Sequence, residues 1–320
     1  MISDFGPVLV GDVGGTTTRF GCYQSGIVTD VYRWPTSQTP NLHSAIARYR
    51  QHTRAVPLAA CVGVAGPVLG EKVSLTNTVW TGSVDDLPCR GVIINDLEAA
   101  AYGVRDMSTA DHLRICGDPL GDPTAPILII GVGTGFGCAV IVGDRVVPTE
   151  AGHAALAACS SRTGRVIQMF SKDDGRTTVE SVLSGRGLRR LARATQGESI
   201  SVWPEEQEGT GPGTQDEWDG PLHRESIPPQ AMDVFIELLA SHCSDLVLNT
   251  LALGGVFLVG GICQLLSEPL SDGRFQRTFS RDTPMSGLLS QVPCYVVTHP
   301  DVGLLGAGAY VSRKIAPTGR

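Results

Sequence analysis

The chain has 320 residues, of which 42% are hydrophobic and 18% are charged, with 39 glycines and 20 prolines. This composition buries enough apolar surface to offset the entropy lost on folding, so it excludes a disordered chain and predicts a globular, turn-rich one. The 25 Lys and Arg against 32 Asp and Glu give a net charge of −7. No basic stripe is present that could neutralise a phosphate backbone, so we expect no nucleic-acid partner.

The first predicted elements are three strands. An apolar strand over 7–13 runs into a turn of glycine and threonine at 14–18, and a second strand passes through 20–23. After a turn at 25–26, a third strand covers 27–34. The order is therefore strand, Gly/Thr turn, strand, turn, strand.

Helices and buried strands alternate in the next part of the chain. A helix is predicted over 41–52, and apolar strands over 59–64 and 91–94. The second of these strands ends at Asn95 and Asp96, which lead into a helix over 97–102. Such alternation indicates an α/β architecture with a mainly parallel or mixed sheet.

The order of the first three strands recurs later. A strand over 127–132 enters the turn Gly133-Thr134-Gly135, a second strand covers 136–142 and a third covers 145–147. The second strand of each unit opens with Phe-Gly-Cys, beginning in this unit at Phe136. The repeated order predicts an internal duplication with two similar sheets facing one another.

Three stretches depart from this pattern. The uncharged stretches 125–143 and 246–266 could be mistaken for membrane spans, but glycines interrupt both, and a span needs about 20 continuous helix-compatible residues. We therefore expect no membrane segment. The stretch 197–230 contains five prolines and no apolar periodicity, which predicts an exposed loop or insertion.

The cysteines and the N-terminus bear on location. Nine cysteines are scattered singly, without a Cys-x-x-Cys pair. An odd number of isolated cysteines fits reduced thiols better than a disulfide framework or a zinc site. Residues 1–4 show no start of a secretion signal. These features predict a cytoplasmic protein.

The two glycine-rich turns are candidate anion sites. In the first, Asp12 precedes Gly14, Gly15 and Thr16; the glycines let backbone N–H groups surround a phosphate, and the carboxylate can hold a hydrated divalent cation. For this turn alone, a hairpin whose glycines only relieve backbone strain is the simpler alternative. The second turn, over 131–137, favours phosphate binding, because two equivalent turns facing a cleft give the duplication a function. Neither turn matches a dinucleotide or P-loop fingerprint.

Polar side chains form a second group of candidates. Asp96, at the end of a strand, can accept a hydroxyl proton. The alternative is structural, since Asn95 followed by Glu98 resembles a helix cap. Isolated His and Glu residues are more often surface or packing residues than ligands. Together with Asn95 and Asp96, however, three of them suit a polyhydroxylated ligand better than a metal: Glu150, His153 and Glu180.

Eight motifs in order between about residues 8 and 310 resemble those of bacterial ATP-dependent glucokinases. They are 9–16, 76–80, 93–96, 133–137, 150–153, 180–188, 259–262 and 303–308. The resemblance implies an α/β, two-domain actin-like ATPase fold of the ribonuclease H-like type, with glucose in the interdomain cleft and MgATP beside it. We expect a small domain over 1–106, joined by 300–320, and a large domain over 107–299. The resemblance also allows a homodimer.

The same resemblance implies a role for each candidate residue. Asp96 would be the catalytic base in forming glucose 6-phosphate for glycolysis, and an ordinary carboxylate pKa would suffice. The sugar ligands would be Asn95, Asp96, Glu150, His153 and Glu180. Asp12 would face Mg²⁺, through water. The ATP phosphates would lie by Gly14, Gly15, Thr16, Thr134 and Gly135, and the adenosine near Gly260 and Gly261.

Two departures from the family's motifs and four alternatives bear on this assignment. Thr17 stands where many relatives have Asn, and Ala151 where they often have Gly. The chain could be a kinase for another hexose, or an actin-like ATPase without a sugar substrate. A sugar-responsive repressor on the same fold needs an N-terminal helix-turn-helix, for which the strand beginning at Pro7 leaves no room. The zinc-bearing, repressor-related sugar kinases carry a Cys-rich motif after the sugar-binding His, whereas only Cys159 follows here.

Overall fold

A computed structural model describes residues 6–75, 79–119, 121–171, 175–195 and 222–314. Its strands are β1 Val8–Val13, β2 Thr17–Gln24, β3 Ile27–Pro35, β4 Ala59–Val64, β5 Val68–Leu69, β6 Lys72–Ser74, β7 Thr81–Ser83, β8 Gly91–Asn95, β9 His112–Cys116, β10 Ile127–Val132, β11 Phe136–Val142, β12 Arg145–Thr149, β13 Gly255–Val259 and β14 Cys294–Val297. Its α-helices are α1 Leu42–Arg50, α2 Asp96–Asp106, α3 Ser161–Phe170, α4 Val179–Val182, α5 Gly185–Thr195, α6 Pro229–Thr250, α7 Gly261–Leu265, α8 Ser267–Ser271, α9 Arg274–Phe279, α10 Ser286–Leu289 and α11 Val302–Lys314.

Two large sheets share one topology. The first has the order β3-β2-β1-β4-β8, and the second has β12-β11-β10-β13-β14 with β9 added at its edge. In both sheets, the first three strands of this order pair antiparallel with their neighbours. The next two strands, β4 and β8 in the first sheet and β13 and β14 in the second, are added parallel to the central strand. The predicted duplication is therefore confirmed at the level of strand order and direction.

The central strands are buried because their sequences are apolar on both faces. All residues of β1 except Asp12 are buried, as are all of β10 except Ile127. Central strands of a mixed sheet that is covered on both sides require such continuous apolar runs. Asp12 is the charged residue in β1, which already marks it as a residue with a role other than packing.

Helix α2 lies between the two sheets. Ala99 packs in the core of the first sheet, and Ala101 packs in a core that includes Ile129 and Ile141 of the second sheet. The approach is close because Gly131 and Gly137 lack side chains: a Cβ on either would lie within about 3 Å of Leu97, at 2.9 and 3.0 Å.

Helix α11 returns from the end of the chain to the first sheet. Its Leu304 and Ala307 belong to the same core as Val8 and Val10 of β1. This packing supports our proposal that the C-terminal segment joins the domain built on 1–106, with 107–299 as the other domain.

Most predicted elements are found, with shifted ends. The strands expected over 59–64, 127–132 and 136–142 have those limits, whereas the helix expected over 97–102 begins at Asp96 and ends at Asp106. The three-stranded sheet β5-β6-β7 was not predicted. None of the helices in the described part of the chain is long and apolar enough to cross a bilayer.

The predicted insertion over 197–230 extends too far at its C-terminal end. Helix α6 begins at Pro229, with a proline at its first helical position, where the missing N–H costs nothing. Residues 197–221 of this stretch lie outside the described residues, as do positions 76–78 of the motif at 76–80.

The contact between α2 and α11 generates a stability prediction. A Cβ on Gly306 would overlap the backbone carbonyl oxygen of Ala99. Because a carbonyl of a packed helix cannot move aside as a side-chain tip can, we expect Gly306→Ala to lower the free energy of unfolding by about 3 kcal/mol. Urea denaturation measures this change.

Gly287→Ala is the matched control. Gly287 also lies in a helix, and nothing lies within 4 Å of an added Cβ. We expect the control to be neutral or stabilising by about 0.5–1 kcal/mol. Equal stability of the two variants would contradict the close packing of α2 on α11.

Candidate active site

The first glycine turn connects β1 to β2. Val13 and Thr18 are the last paired residues of the hairpin, and the N–H of Gly14 donates to the carbonyl of Thr17 at 2.9 Å. The second turn connects β10 to β11 in the same way. There, Val132 pairs with Phe136, and the N–H of Gly133 donates to the carbonyl of Gly135 at 3.0 Å.

The two turns meet. The hydroxyl oxygens of Thr16 and Thr134 lie 3.1 Å apart, although 118 residues separate them in the chain. A Cβ on Gly15 would lie 3.8 Å from Cγ2 of Thr134. The prediction that two equivalent turns face one another is therefore confirmed, while phosphate binding at these residues stays a prediction.

Glu180 is held by the second turn. Its Oε2 accepts a hydrogen bond from the N–H of Phe136 at 3.0 Å, and its Oε1 lies 3.8 Å from Arg186 Nη2. A Cβ on Gly135 would overlap Oε2 of Glu180. Gly135 therefore makes room for a carboxylate, in addition to its predicted place beside the phosphates.

Glu150 and His153 lie on an adjoining turn. Glu150 precedes the short 3₁₀ helix Ala151–His153 and His153 is its last residue, with His153 Nε2 at 3.9 Å from Glu150 Oε2. Both side chains are more than half exposed, at 65% for Glu150 and 57% for His153, so they are accessible to a ligand. Gly152 between them lies against the carbonyl of Phe136, and a Cβ there would be 3.6 Å from Cβ of Glu180. The structure thus brings these three predicted sugar ligands to one edge of the second sheet.

Asn95 is the N-cap of α2. Its Oδ1 accepts hydrogen bonds from the N–H groups of Leu97 at 2.9 Å and Glu98 at 3.2 Å, and its Nδ2 donates to the carbonyl of Gly66 at 3.3 Å. The capping interpretation is therefore confirmed. One Nδ2 proton is left for a ligand, so a sugar contact and the cap are compatible.

Asp96 is the first residue of α2, and its Oδ1 accepts a hydrogen bond from the N–H of Leu97 at 2.9 Å. Burial raises the pKa of this carboxyl from 3.8 to about 7; the negative charge of Asp12 adds to the effect, and that of Glu150 adds less. The bond from Leu97 acts in the opposite direction but is outweighed. Asp96 therefore has the pKa of a general base poised near neutrality, and not the ordinary value expected from the sequence.

Asp12 lies between a cation and a helix N-terminus. Arg19 is its partner across the β1–β2 ladder, with Nε at 3.5 Å from Oδ2. A Cβ on Gly303, in the first turn of α11, would lie 3.0 Å from the same oxygen. Burial raises the pKa of Asp12 above its ordinary value and the charge of Asp301 adds to the effect, whereas the charge of Arg19 acts in the opposite direction without cancelling it. The guanidinium and the partial positive charge of the helix end both favour the ionised form.

Asp12 also suits a magnesium ion. A carboxylate oxygen is the kind of ligand that Mg²⁺ takes in proteins, together with water and phosphate oxygens. In the described residues, no group of three or more His, Cys, Asp and Glu side chains could hold a metal ion without such help.

Gly260 and Gly261 connect β13 to α7. Gly260 has a φ of +100°, and a Cβ there would overlap the carbonyl of Val132 at the end of β10. Nothing lies within 4 Å of a Cβ built on Gly261. The pair therefore lies beside the second turn, and its contact with adenosine stays a prediction.

Four residues of this region were missed in the sequence: Arg19, Thr36, Gly66 and Arg186. Arg19 could have been found, because counting back from a tight turn pairs it with Asp12. The contacts of Gly66 and Thr36 have no local sequence signal, since their partners are 29 and 22 residues away.

Comparison with known proteins agrees with this geometry. The sequence profile of the family described as Glucokinase matches residues 9–314. A glucokinase of Chelativorans sp. (strain BNC1) is 32% identical over 331 residues, covering 97% of this chain and 92% of the relative.

Solved structures agree as well. A glucokinase from an Antarctic psychrotroph is 27% identical with a TM-score of 0.74, over 95% of this chain and 98% of that one. A ROK family glucokinase from Streptomyces griseus, in complex with glucose and AMPPNP, is 16% identical with a TM-score of 0.63, over 95% of this chain and 97% of that one, which is a likeness of fold alone. The two-domain actin-like fold expected from the sequence is thereby confirmed.

The contact of Glu180 with the second turn generates a binding prediction. In Gly135→Ala the new Cβ would displace the carboxylate and leave the N–H of Phe136 without its acceptor. The displaced carboxylate would also lose its hydrogen bond to the sugar, and a bond to a charged group contributes about 1.5–3 kcal/mol, so we expect glucose affinity to fall at least about tenfold. Titration calorimetry measures this affinity directly.

Gly133→Ala is the control within the same turn, because nothing lies within 4 Å of a Cβ at Gly133. We expect it to bind glucose like the parent protein. If both variants bound glucose equally well, Glu180 would not act through its position at this turn.

Proposed function

The chain belongs to the glucokinase family, and from that premise we propose that it transfers the γ-phosphoryl group of ATP to the 6-hydroxyl of glucose with Asp96 as the base. The products are glucose 6-phosphate and ADP. The observation that carries the proposal is the place of Asp96: it begins the helix that lies between the two sheets, and its pKa is raised to about 7.

The electrostatic environment of Asp96 connects the two halves of the site. Asp12 belongs to the first sheet, on the side of the first glycine turn, and Glu150 follows β12 of the second sheet. Both charges act on the Asp96 carboxyl. A carboxylate in this position can accept the proton of a hydroxyl that the sugar ligands hold, while the phosphates of ATP lie between the two turns.

The turns supply the phosphate contacts. Backbone N–H groups at Gly15 and Thr134 and the hydroxyls of Thr16 and Thr134 are donors suited to phosphoryl oxygens. Phosphoryl transfer depends mainly on positioning and on neutralising charge, so such donors supply much of the acceleration. Asp12 would hold Mg²⁺ through water, and the ion supplies positive charge to the phosphates when bound.

Three side chains would orient the sugar by accepting hydrogen bonds from its hydroxyl groups. Glu150, His153 and Glu180 present carboxylate and imidazole groups at one edge of the second sheet. As the bond between O6 and the γ-phosphorus forms and the bond to the β-phosphate oxygen breaks, Asp96 accepts the hydroxyl proton. A sugar with the opposite configuration at carbon 2 or 4 would leave a polar partner unmatched, which favours glucose over its epimers.

The cellular setting belongs to the same proposal. All nine cysteines are free thiols, and seven are buried. Reduced thiols and the use of ATP fit a cytoplasmic enzyme.

The direct test is ADP formation with MgATP in the presence and absence of individual hexoses. We expect glucose to stimulate ADP formation well above the level with mannose, fructose or N-acetylglucosamine. In Asp96→Asn, kcat should fall by about 10²–10⁴ while glucose still binds, because the base is lost but the other four sugar ligands remain. ATP turnover independent of any sugar would favour an actin-like ATPase instead, and near-parental kcat in Asp96→Asn would remove Asp96 from its role.

The raised pKa of Asp96 generates a pH prediction. Asp96 must be ionised to accept the proton, and this form is lost as the pH falls through its raised pKa of about 7. We therefore expect kcat/KM for glucose, which reports groups of the enzyme before glucose binds, to fall about tenfold per pH unit below 7 and to level off above 8. Initial rates between pH 5.5 and 9 at saturating MgATP measure the profile.

The residual activity of Asp96→Asn is the control for this profile. The pH profile of this residual activity should lack the inflection near neutrality. A parental profile that stays flat down to pH 5.5 would contradict a base with a raised pKa.

A further inference from the structure

Thr36 lies outside every motif of the sequence, yet it contacts the first glycine turn from inside the protein. It follows β3, opens the 3₁₀ helix Thr36–Gln38 and is only 4% exposed. Its hydroxyl donates to the carbonyl of Gly14 at 2.7 Å, and its N–H donates to the carbonyl of Thr16 at 2.9 Å. Two carbonyls of the turn are therefore held by one buried residue.

The direction of each hydrogen bond follows from the number of protons. Thr36 has one hydroxyl proton, which is given to Gly14. The hydroxyl of Thr18 lies 3.0 Å away and must therefore donate to Thr36. Thr18 is completely buried, so the bond between the two threonine hydroxyls is shielded from competing water.

Holding a carbonyl also orients the next N–H group. In a planar trans peptide the C=O and the following N–H point in opposite directions. Because the carbonyl of Gly14 points inward to Thr36, the N–H of Gly15 points outward, away from the core. Among the described residues, no protein acceptor takes this N–H.

The second turn is held by the same device with a different anchor. Gly133 follows β10 as Gly14 follows β1, and its carbonyl accepts a hydrogen bond from the N–H of Gly185 at 2.8 Å. The N–H of Thr134 is thereby oriented like that of Gly15. Equivalent carbonyls in the two turns are thus anchored, one by a side chain and one by a helix N-terminus.

We propose that Thr36 is a positioning residue for the nucleotide, whose hydroxyl holds the Gly14–Gly15 peptide so that the Gly15 N–H faces the phosphates of ATP. The anchor is needed because neither glycine has a Cβ, so the peptide between them can rotate at little steric cost. The inference rests on the proposed function, and it adds a residue that touches no substrate.

Thr36→Val tests the inference, since valine keeps the shape of threonine and removes the hydroxyl. We expect KM for ATP and the Kd of a non-hydrolysable ATP analogue, measured by calorimetry, to rise about tenfold, because the partly buried carbonyl of Gly14 loses its partner and the Gly14–Gly15 peptide can rotate. KM for glucose should not change. Thr36→Ser restores the hydroxyl and should restore nucleotide affinity. If the valine variant does not fold, Thr36→Ala removes the same hydroxyl without the branched side chain.

Thr39→Val is the matched control. Thr39 is also 4% exposed and lies three residues away. Its hydroxyl accepts from Trp34 Nε1 at 3.3 Å and donates to the backbone carbonyl of Thr36 at 3.4 Å, but it does not contact the turn. It should lose thermal stability like Thr36→Val while keeping its affinity for ATP.

The outcomes separate the inference from the proposed function. Unchanged nucleotide affinity in Thr36→Val, or an equal loss of affinity in Thr39→Val, would overturn the positioning role of Thr36. The proposed function would remain intact as long as the parent protein forms ADP in a glucose-dependent reaction. Absence of that activity in the parent protein would overturn both. Loss of nucleotide affinity in Thr36→Val alone, with rescue by serine, is the result that supports the role.

Discussion

The packing of helix α2 between the two sheets is the constraint on which the site depends. Four glycines permit it: Gly131 and Gly137 leave space for Leu97, and Gly103 and Gly306 let α2 and α11 approach backbone to backbone. The helix has one apolar face for each sheet. Its first residue, Asp96, is therefore delivered to the place where the ends of both sheets meet.

The same placement determines the protonation of Asp96. A helix N-terminus and a hydrogen bond from a backbone N–H both favour a carboxylate. Here burial and the charges of Asp12 and Glu150 outweigh them, and the pKa rises to about 7. The position that serves packing thus also gives the carboxyl a pKa suited to accepting a proton. Burial raises the pKa of Asp12 as well, although the charge of the neighbouring Arg19 acts in the opposite direction.

The duplicated sheets explain why the two turns are similar and why they are not identical. Both follow the central strand of a sheet, and both have a carbonyl held from behind. Thr36 comes from the hairpin of its own sheet, whereas Gly185 begins a helix that follows Glu180, the carboxylate bound to Phe136. The second turn thereby contacts the segment that carries Glu180, and the first contacts the buried residues Thr18 and Thr36.

Local sequence was enough for the strands beside the two glycine turns, for the turns themselves and for their equivalence, because these depend on apolar runs and on residues adjacent in the chain. The cap at Asn95 followed for the same reason. Other features depend on groups far apart in sequence: the 3.1 Å contact of Thr16 with Thr134, the space that Gly135 leaves for Glu180, and the hold of Thr36 on Gly14. The pKa of Asp96 also belongs here, since burial and the approach of distant charges exist only after α2 has packed between the sheets.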